Sequence, residues 1–287
     1  MKKTIGMSLT VITALALLSG PAGAALVYIV DSGYNQCGPR NAKITTIDSV
    51  TGLEQILNPG TGHNLTDIAV APSGQRLYAV GNNASDAKYL YRYDPLTGLE
   101  LNKWNLGTGN FHNALVAESE TSLLLMADDS SKIWRVNLDA SGDYLSTSLL
   151  GYAGFTSDGD LAFGLDGTLY AAGNPECGQG PNSQLYSISL GGGLSSTHIG
   201  DMGHKNFYGL AIDEQGILYA GRGEPSDGEK IYTVNTSTGA TSLVYNTNLP
   251  CGIYGMASVP EPATLLVLII SGLVAIGTKV LRKHRTA

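Results

Sequence analysis

Apolar and polar side chains alternate with a period of two over short stretches of the chain, and turn residues close each stretch. Lys43-Ile44-Thr45-Thr46-Ile47-Asp48 runs into Thr51-Gly52, and Leu90-Tyr91-Arg92-Tyr93-Asp94 into Thr97-Gly98. Lys132-Ile133-Trp134-Arg135-Val136-Asn137 leads to Ser141-Gly142, and Leu185-Tyr186-Ser187-Ile188-Ser189 to Gly191-Gly192. Lys230-Ile231-Tyr232-Thr233-Val234-Asn235 ends in Thr238-Gly239. Each copy predicts a strand entering a hairpin. Ile44, Leu90, Ile133, Leu185 and Ile231 are separated by 46, 43, 52 and 46 residues. Helical solenoids of similar period need an apolar spacing of 3.6, which is absent. A period in the forties with four short strands per unit predicts a β-propeller.

The other strands keep the same beat. A lead strand precedes four copies: Asp67-Ile68-Ala69-Val70, Asn113-Ala114-Leu115-Val116, Asp160-Leu161-Ala162-Phe163 and Gly209-Leu210-Ala211-Ile212. A second strand follows each, as in Leu77-Tyr78-Ala79-Val80, Leu124-Leu125-Met126-Ala127, Leu169-Tyr170-Ala171-Ala172 and Leu218-Tyr219-Ala220-Gly221. Small alanines suit the crowded inner strands. Leu26-Val27-Tyr28-Ile29-Val30 reads as a second strand with no lead strand before it, whereas Gly255-Met256-Ala257-Ser258 reads as a lead strand with no second strand after it. The last strand therefore completes the blade opened by the first, leaving only short, protected sheet edges. Residues 25–258 number 234, about 47 for each of five blades. The expected fold is all-β: a five-bladed propeller closed by its C-terminal strand.

Both ends read as addresses. Lys2-Lys3, an apolar run through Leu18, Ser19-Gly20-Pro21 and Ala22-Gly23-Ala24 predict a secretory signal peptide over residues 1–24; the competing reading is a membrane anchor, for which the run is short. At the other end, Val259-Pro260-Glu261-Pro262 precedes an uncharged run over 263–278 and then Lys279, Arg282, Lys283 and Arg285. Sixteen residues rising about 1.5 Å each give about 24 Å, a short bilayer span flanked by snorkelling cations. The basic end would lie in the cytoplasm and everything before the span outside. Pro260-Glu261-Pro262, the span and the basic cluster, in that order, resemble the PEP-CTERM sorting signal of Gram-negative bacteria, over residues 259–287. The resemblance implies a transmembrane helix over 263–280 that anchors the chain transiently. It also implies an exosortase-type protease as partner, and delivery to the cell surface or a polysaccharide-rich extracellular matrix. Biofilm would be one such setting. Glu261 would lie in the segment the sorting enzyme reads.

Composition narrows the partners. The chain is 43% hydrophobic and 14% charged, with 37 glycines, which argues for many turns and against disorder. Six of the 17 basic residues but one of the 24 acidic ones fall in the two ends, leaving 11 against 23 and a net charge of −12 between them. Phosphate backbones would repel such a body, so nucleic acid is not an expected partner. Cys37, Cys177 and Cys251 all fall in the exported part, where thiols oxidise. Cys37 and Cys251 flank the ring closure on one face, and a disulfide between them would clip the chain ends together. The alternative is three thiols that are free or paired otherwise. No Cys-x-x-Cys spacing suggests zinc.

Candidate chemistry gathers in the loops that lead into the inner strands, at one mouth of the channel. His63, His112 and His204 lie there, at unequal offsets from their strands, and clustered imidazoles would bind a metal or move protons. Asp67 and Asp160 head two lead strands at a position filled elsewhere by Asn113, Gly209 and Gly255. They would hold calcium, assist hydrolysis, or hydrogen-bond loop amides. Tyr34, Phe111, Phe207, Tyr208 and Tyr254 lie in or beside these loops, where aromatic faces suit sugar rings or ordinary packing. His63, Asp67, His112, Asp160, His204, Tyr208 and Tyr254 form the candidate ligand site. No complete catalytic motif occurs, so no catalytic residue, cofactor or metal is assigned. Residues 209–221 resemble NHL and regucalcin-like propeller repeats, and Leu-Tyr-x-x-Asp-x-x-Thr-Gly resembles repeats of quinoprotein-like propellers; both imply fold and not activity. The expected function is an exported, non-enzymatic binding module for a glycan or surface protein. The alternative is an extracellular propeller enzyme: a lactonase, lyase or glycosidase.

Overall fold

The computed structural model describes residues 26–31, 41–49, 51–81, 88–108, 111–127, 131–175, 180–223, 229–249 and 252–259. The expected signal peptide, residues 260–287 of the expected sorting segment with Pro260, Glu261 and Pro262, and all three cysteines lie outside these residues. Among the described residues no helix is long and apolar enough to cross a membrane.

The described strands form five four-stranded antiparallel sheets. The first sheet holds β1 (Leu26–Asp31), β2 (Lys43–Asp48) and β3 (Glu54–Asn58). The second holds β4 (Leu65–Val70), β5 (Leu77–Gly81), β6 (Tyr89–Tyr93) and β7 (Glu100–Asn105). The third holds β8 (His112–Ser119), β9 (Ser122–Ala127), β10 (Lys132–Leu138) and β11 (Tyr144–Tyr152). The fourth holds β12 (Phe155–Phe163), β13 (Leu169–Pro175), β14 (Gln184–Ser189) and β15 (Ser195–Asp201). The fifth holds β16 (Phe207–Ile212), β17 (Leu218–Arg222), β18 (Lys230–Val234) and β19 (Thr241–Asn246). The first sheet takes its fourth strand from the end of the chain: β20 (Ile253–Val259) pairs with β1, setting Met256 opposite Ile29 and Ala257 opposite Tyr28. The expected five blades and their closure are both present.

Burial follows radius. Innermost strands β4 and β16 are buried along nearly their whole length, whereas outermost strands β3, β7 and β19 alternate between half-buried and exposed positions. The apolar core lies between neighbouring sheets. Tyr28, Ile44, Leu65, Ile68 and Tyr91 fill one such layer, and Val27, Ile29, Tyr219, Ile231 and Met256 fill the layer beside the closure. Tyrosines of the second strands tie sheets together: the hydroxyl of Tyr28 donates to Pro95 O at 2.7 Å, and that of Tyr78 to Gly142 O at 3.0 Å. Both acceptors sit in the turn after the third strand of the next sheet.

Those turns explain the recurring Asp-x-x-Thr-Gly. The Asp94 carboxylate accepts from the amides of Leu96 and Thr97 and from the Thr97 hydroxyl, at 2.8–3.0 Å, and these bonds hold its pKa below the usual range. Gly98 then takes φ +66°, a left-handed conformation that a Cβ would disfavour. Asp48 and Asn235 cap equivalent turns.

One expected register differs. Leu115 faces Leu125 and Ala114 faces Met126, so Ala114, not Asn113, stands where Asp67, Asp160, Gly209 and Gly255 stand in the other sheets. The second strand slips with it: Leu123 takes the place of Leu77, since Leu124 pairs one step later. Asn113 is the extra residue of a β-bulge.

Candidate functional site

All five inner strands bulge at the same end. The register breaks between Leu65 and Asp67, His112 and Ala114, Ser157 and Leu161, and Phe207 and Gly209, and Val30 and Asp31 break it opposite Tyr254. Bulges add a residue that the ladder cannot pair and so re-aim side chains, commonly at functional sites. The added residues here are Thr66, Asn113, the Asp158–Gly159 step, Tyr208 and Tyr254, which together rim one mouth of the channel.

Aromatic and polar groups share this rim. The rings of Tyr208 and Tyr254 stack with centroids 5.2 Å apart and planes 16° from parallel, and both residues are half-buried. The Tyr208 hydroxyl donates to Asn206 Oδ1 at 3.1 Å. Gly159 is required beside them, because a Cβ there would strike the Tyr208 backbone. Next in the ring, Asn113 Nδ2 donates to Ser157 O at 3.3 Å, while Asn113 Oδ1 and Ser157 Oγ are buried without a hydrogen-bond partner among the described residues. Buried polar atoms of this kind ordinarily have a partner, so this arc of the rim has unmet demand for hydrogen bonds. Asp158 lies alongside, bonded by the Ser183 hydroxyl, and burial raises its pKa.

The expected histidines do not assemble into one site. His63 packs on Tyr91 at 4.3 Å and its Nε2 meets Glu100 of outer strand β7 at 2.7 Å. His204 packs on Tyr232 at 5.4 Å. Tyr91 and Tyr232 are equivalent, each facing the alanine of its second strand, so these two histidines fill one repeated structural position. Their unequal sequence offsets arise from one added residue before β16, where Asn206 takes the left-handed φ of +66°. His112 is fully buried; its Nε2 meets the Thr108 hydroxyl at 2.6 Å, and burial pushes its pKa down to about 4. Phe207 is fully buried and belongs to the core, whereas Phe111 is 40% exposed. Among the described residues no three His, Cys, Asp or Glu side chains gather as a metal-binding group.

Asp67 and Asp160 lie one step deeper, on the axis, and both are completely buried. They serve neighbouring backbones. Asp67 accepts from Ile68 N at 2.7 Å and from Leu115 N on β8. Asp160 accepts from Leu161 N and from Leu210 N on β16, each at 2.6 Å, and from Met256 N on β20 at 3.1 Å. The two carboxyls also lie within hydrogen-bonding reach of each other. Of the expected uses, amide binding is the one the structure displays, though the amides belong to inner strands and not to loops.

Beyond this pair the channel widens again toward the opposite face. A cavity of about 230 Å³ lies among Ile68, Leu115, Leu161, Leu210 and Met256, with Glu118, Asp213 and Glu214 near its opening. Glu118 is already engaged, taking two bonds from the Arg135 guanidinium at 2.5 and 2.7 Å.

No family model matches the chain, and no curated protein matches it. Solved structures do. A chain of the nidogen–laminin complex aligns over 83% of this chain and 98% of its own, with 9% identity and a TM-score of 0.52. TolB from Acinetobacter baumannii aligns over 84% of this chain, with 15% identity and a TM-score of 0.49, and this chain spans 57% of TolB. A gluconolactonase from Xanthomonas campestris aligns over 84% of both chains, with 17% identity and a TM-score of 0.49. At such identities the likeness is one of fold. It is a propeller.

Proposed function

We propose that the chain is an exported, non-enzymatic propeller that binds carbohydrate at its bulged rim and reaches the cell surface or extracellular matrix through the C-terminal sorting segment. One observation carries the binding role: the Tyr208–Tyr254 stack shares a rim with the unpartnered Asn113 Oδ1 and Ser157 Oγ. A sugar ring offers C–H groups to an aromatic surface and hydroxyls to such atoms. The fixed backbone beneath them limits the ordering cost of binding. Chain direction supports display. Strand β20 runs from the rim at Ile253 to the opposite face at Val259, where the sorting segment begins. An anchor attached there turns the rim away from the bilayer.

Hydrolysis is a second reading of the same rim. Asp158 favours it, since a carboxyl whose pKa burial has raised suits a general acid. Screening the purified full chain in detergent against a glycan array, with release of reducing ends monitored on every hit, tests both. We expect at least one glycan bound and left intact, with Tyr254→Ala and Asn113→Ala each weakening it tenfold or more. Release abolished by Asp158→Asn would transfer the case to the hydrolase. No bound glycan would end both readings.

A further inference from the structure

The axial carboxyl pair does more than stitch strands. Asp67 and Asp160 touch side chain to side chain at 0% exposure. Ala114, Gly209 and Gly255 stand at the same level on the other three inner strands, so among the described residues nothing cationic faces the pair. Gly255 leaves no room for a counter-charge: even a methyl group there would overlap the Asp67 carboxyl. Among the described residues the next acid along β12 is Asp158, which turns to Ser183. Five backbone amides point at the two carboxyls, and Met256 N belongs to the strand that closes the ring.

Two carboxylates in contact, buried and with no cation beside them among the described residues, do not both stay ionised. A single proton placed between them turns their repulsion into a hydrogen bond, while the remaining oxygens still accept the amides. We propose that Asp67 and Asp160 form a one-proton binding site on the propeller axis, and that the bound proton stabilises the closed ring.

Burial first, and then the neighbouring Asp160, raises the Asp67 pKa well above the carboxylate range; burial raises Asp160 too, with its bonds to Asp67 and the backbone offsetting part. An unfolded aspartate titrates near pH 4, at about 3.9. The folded chain therefore keeps a proton that the unfolded chain has released. Stability from the pair is full below about pH 4 and is lost as pH rises toward the folded value, by up to about tenfold in the folding equilibrium constant per pH unit. The proton leaves to solvent, the hydrogen bond between the carboxyls is lost with it, and no other covalent bond changes.

Denaturant unfolding of the full chain in detergent, from pH 4 to 9, tests the site. Asp67→Asn puts an amide N–H where the shared proton sits. His112, with its depressed pKa, adds slope of opposite sign below about pH 6.5, and Asp158 adds slope of the same sign. Both persist in the variant, and so does the raised Asp160, so the difference in slope isolates the proton that Asp67 shares with it. We expect the wild-type constant to fall relative to that of Asp67→Asn by up to about tenfold per unit across the window. Infrared spectra at pH 7 give a second readout: the carbonyl stretch of a buried, protonated carboxylic acid, present in the wild type and weaker in Asp67→Asn, where at most Asp160 contributes to it. Parallel pH slopes in the two proteins would overturn the proposal. So would a wild-type spectrum without that band.

Discussion

At Gly255 a single hydrogen in place of a side chain decides how closely two inner strands approach. A Cβ built there overlaps both the carboxyl and the Cα of Asp67 on the adjoining strand, so backbone would have to move. Gly191, in the turn after β14, has open space around it and no positive φ. Gly255→Ala should therefore destabilise the chain by about 1–3 kcal/mol through overpacking. Gly191→Ala should be neutral, or stabilise slightly by restricting the unfolded chain. Paired urea titrations check this, and equal midpoints for the two variants would contradict the close approach at the axis. The same scale shows what a sequence conceals. Tyr208 and Tyr254 were legible as aromatics beside lead strands. Asn113 and Ser157 were not legible as a pair, because the bulges that bring them together leave no pattern in the chain. Unequal offsets likewise hid the shared role of His63 and His204, since one left-handed Asn206 absorbs the difference.

Strands carry the repeat, and their second position carries the joints between blades. Tyr28, Tyr78, Tyr170 and Tyr219 occupy one site, with Leu124 in the third sheet. Tyr78 is buried, with its hydroxyl on the Gly142 carbonyl of the next turn; Tyr170 has no such bond among the described residues. Tyr78→Phe should cost about 1 kcal/mol, a fall of about 2–4 °C in melting temperature for a domain of this size. Tyr170→Phe should shift it far less, and calorimetry of the two variants separates the cases. The third sheet is also where register was hardest to read. Leu123-Leu124-Leu125-Met126 has no polar position, so alternation could not tell which leucine begins the second strand. In the second, fourth and fifth sheets the alanine after Leu-Tyr breaks the run and fixes the face. Blade number was legible for a different reason: it rests on spacing, which a slip of one residue barely alters.

Closure is the property that belongs to the whole molecule. Strand β20 gives the first sheet its innermost strand, packs Met256 with Ile29, Ala211 and Tyr219, and supplies the amide of Met256 to Asp160. Across the same seam, the Tyr245 hydroxyl reaches Ser49 O, and Asn248 N donates to Glu54 Oε1 at 2.9 Å. A ring held by contacts between residues so far apart in sequence must order nearly the whole chain before the seam rewards it. Loss of β20 then costs more than its own contacts, because β1 becomes an exposed edge and the layer beside it opens to water. A chain ending at Val259 should keep the cooperative melt of the propeller, since every described strand is retained. A chain ending at Leu249 lacks the same C-terminal residues plus β20, and should lose cooperativity and aggregate. Circular dichroism melts and light scattering on the two truncations measure the contrast. If the shorter chain melts as sharply as the longer, closure by the last strand is not what makes the propeller a single folding unit.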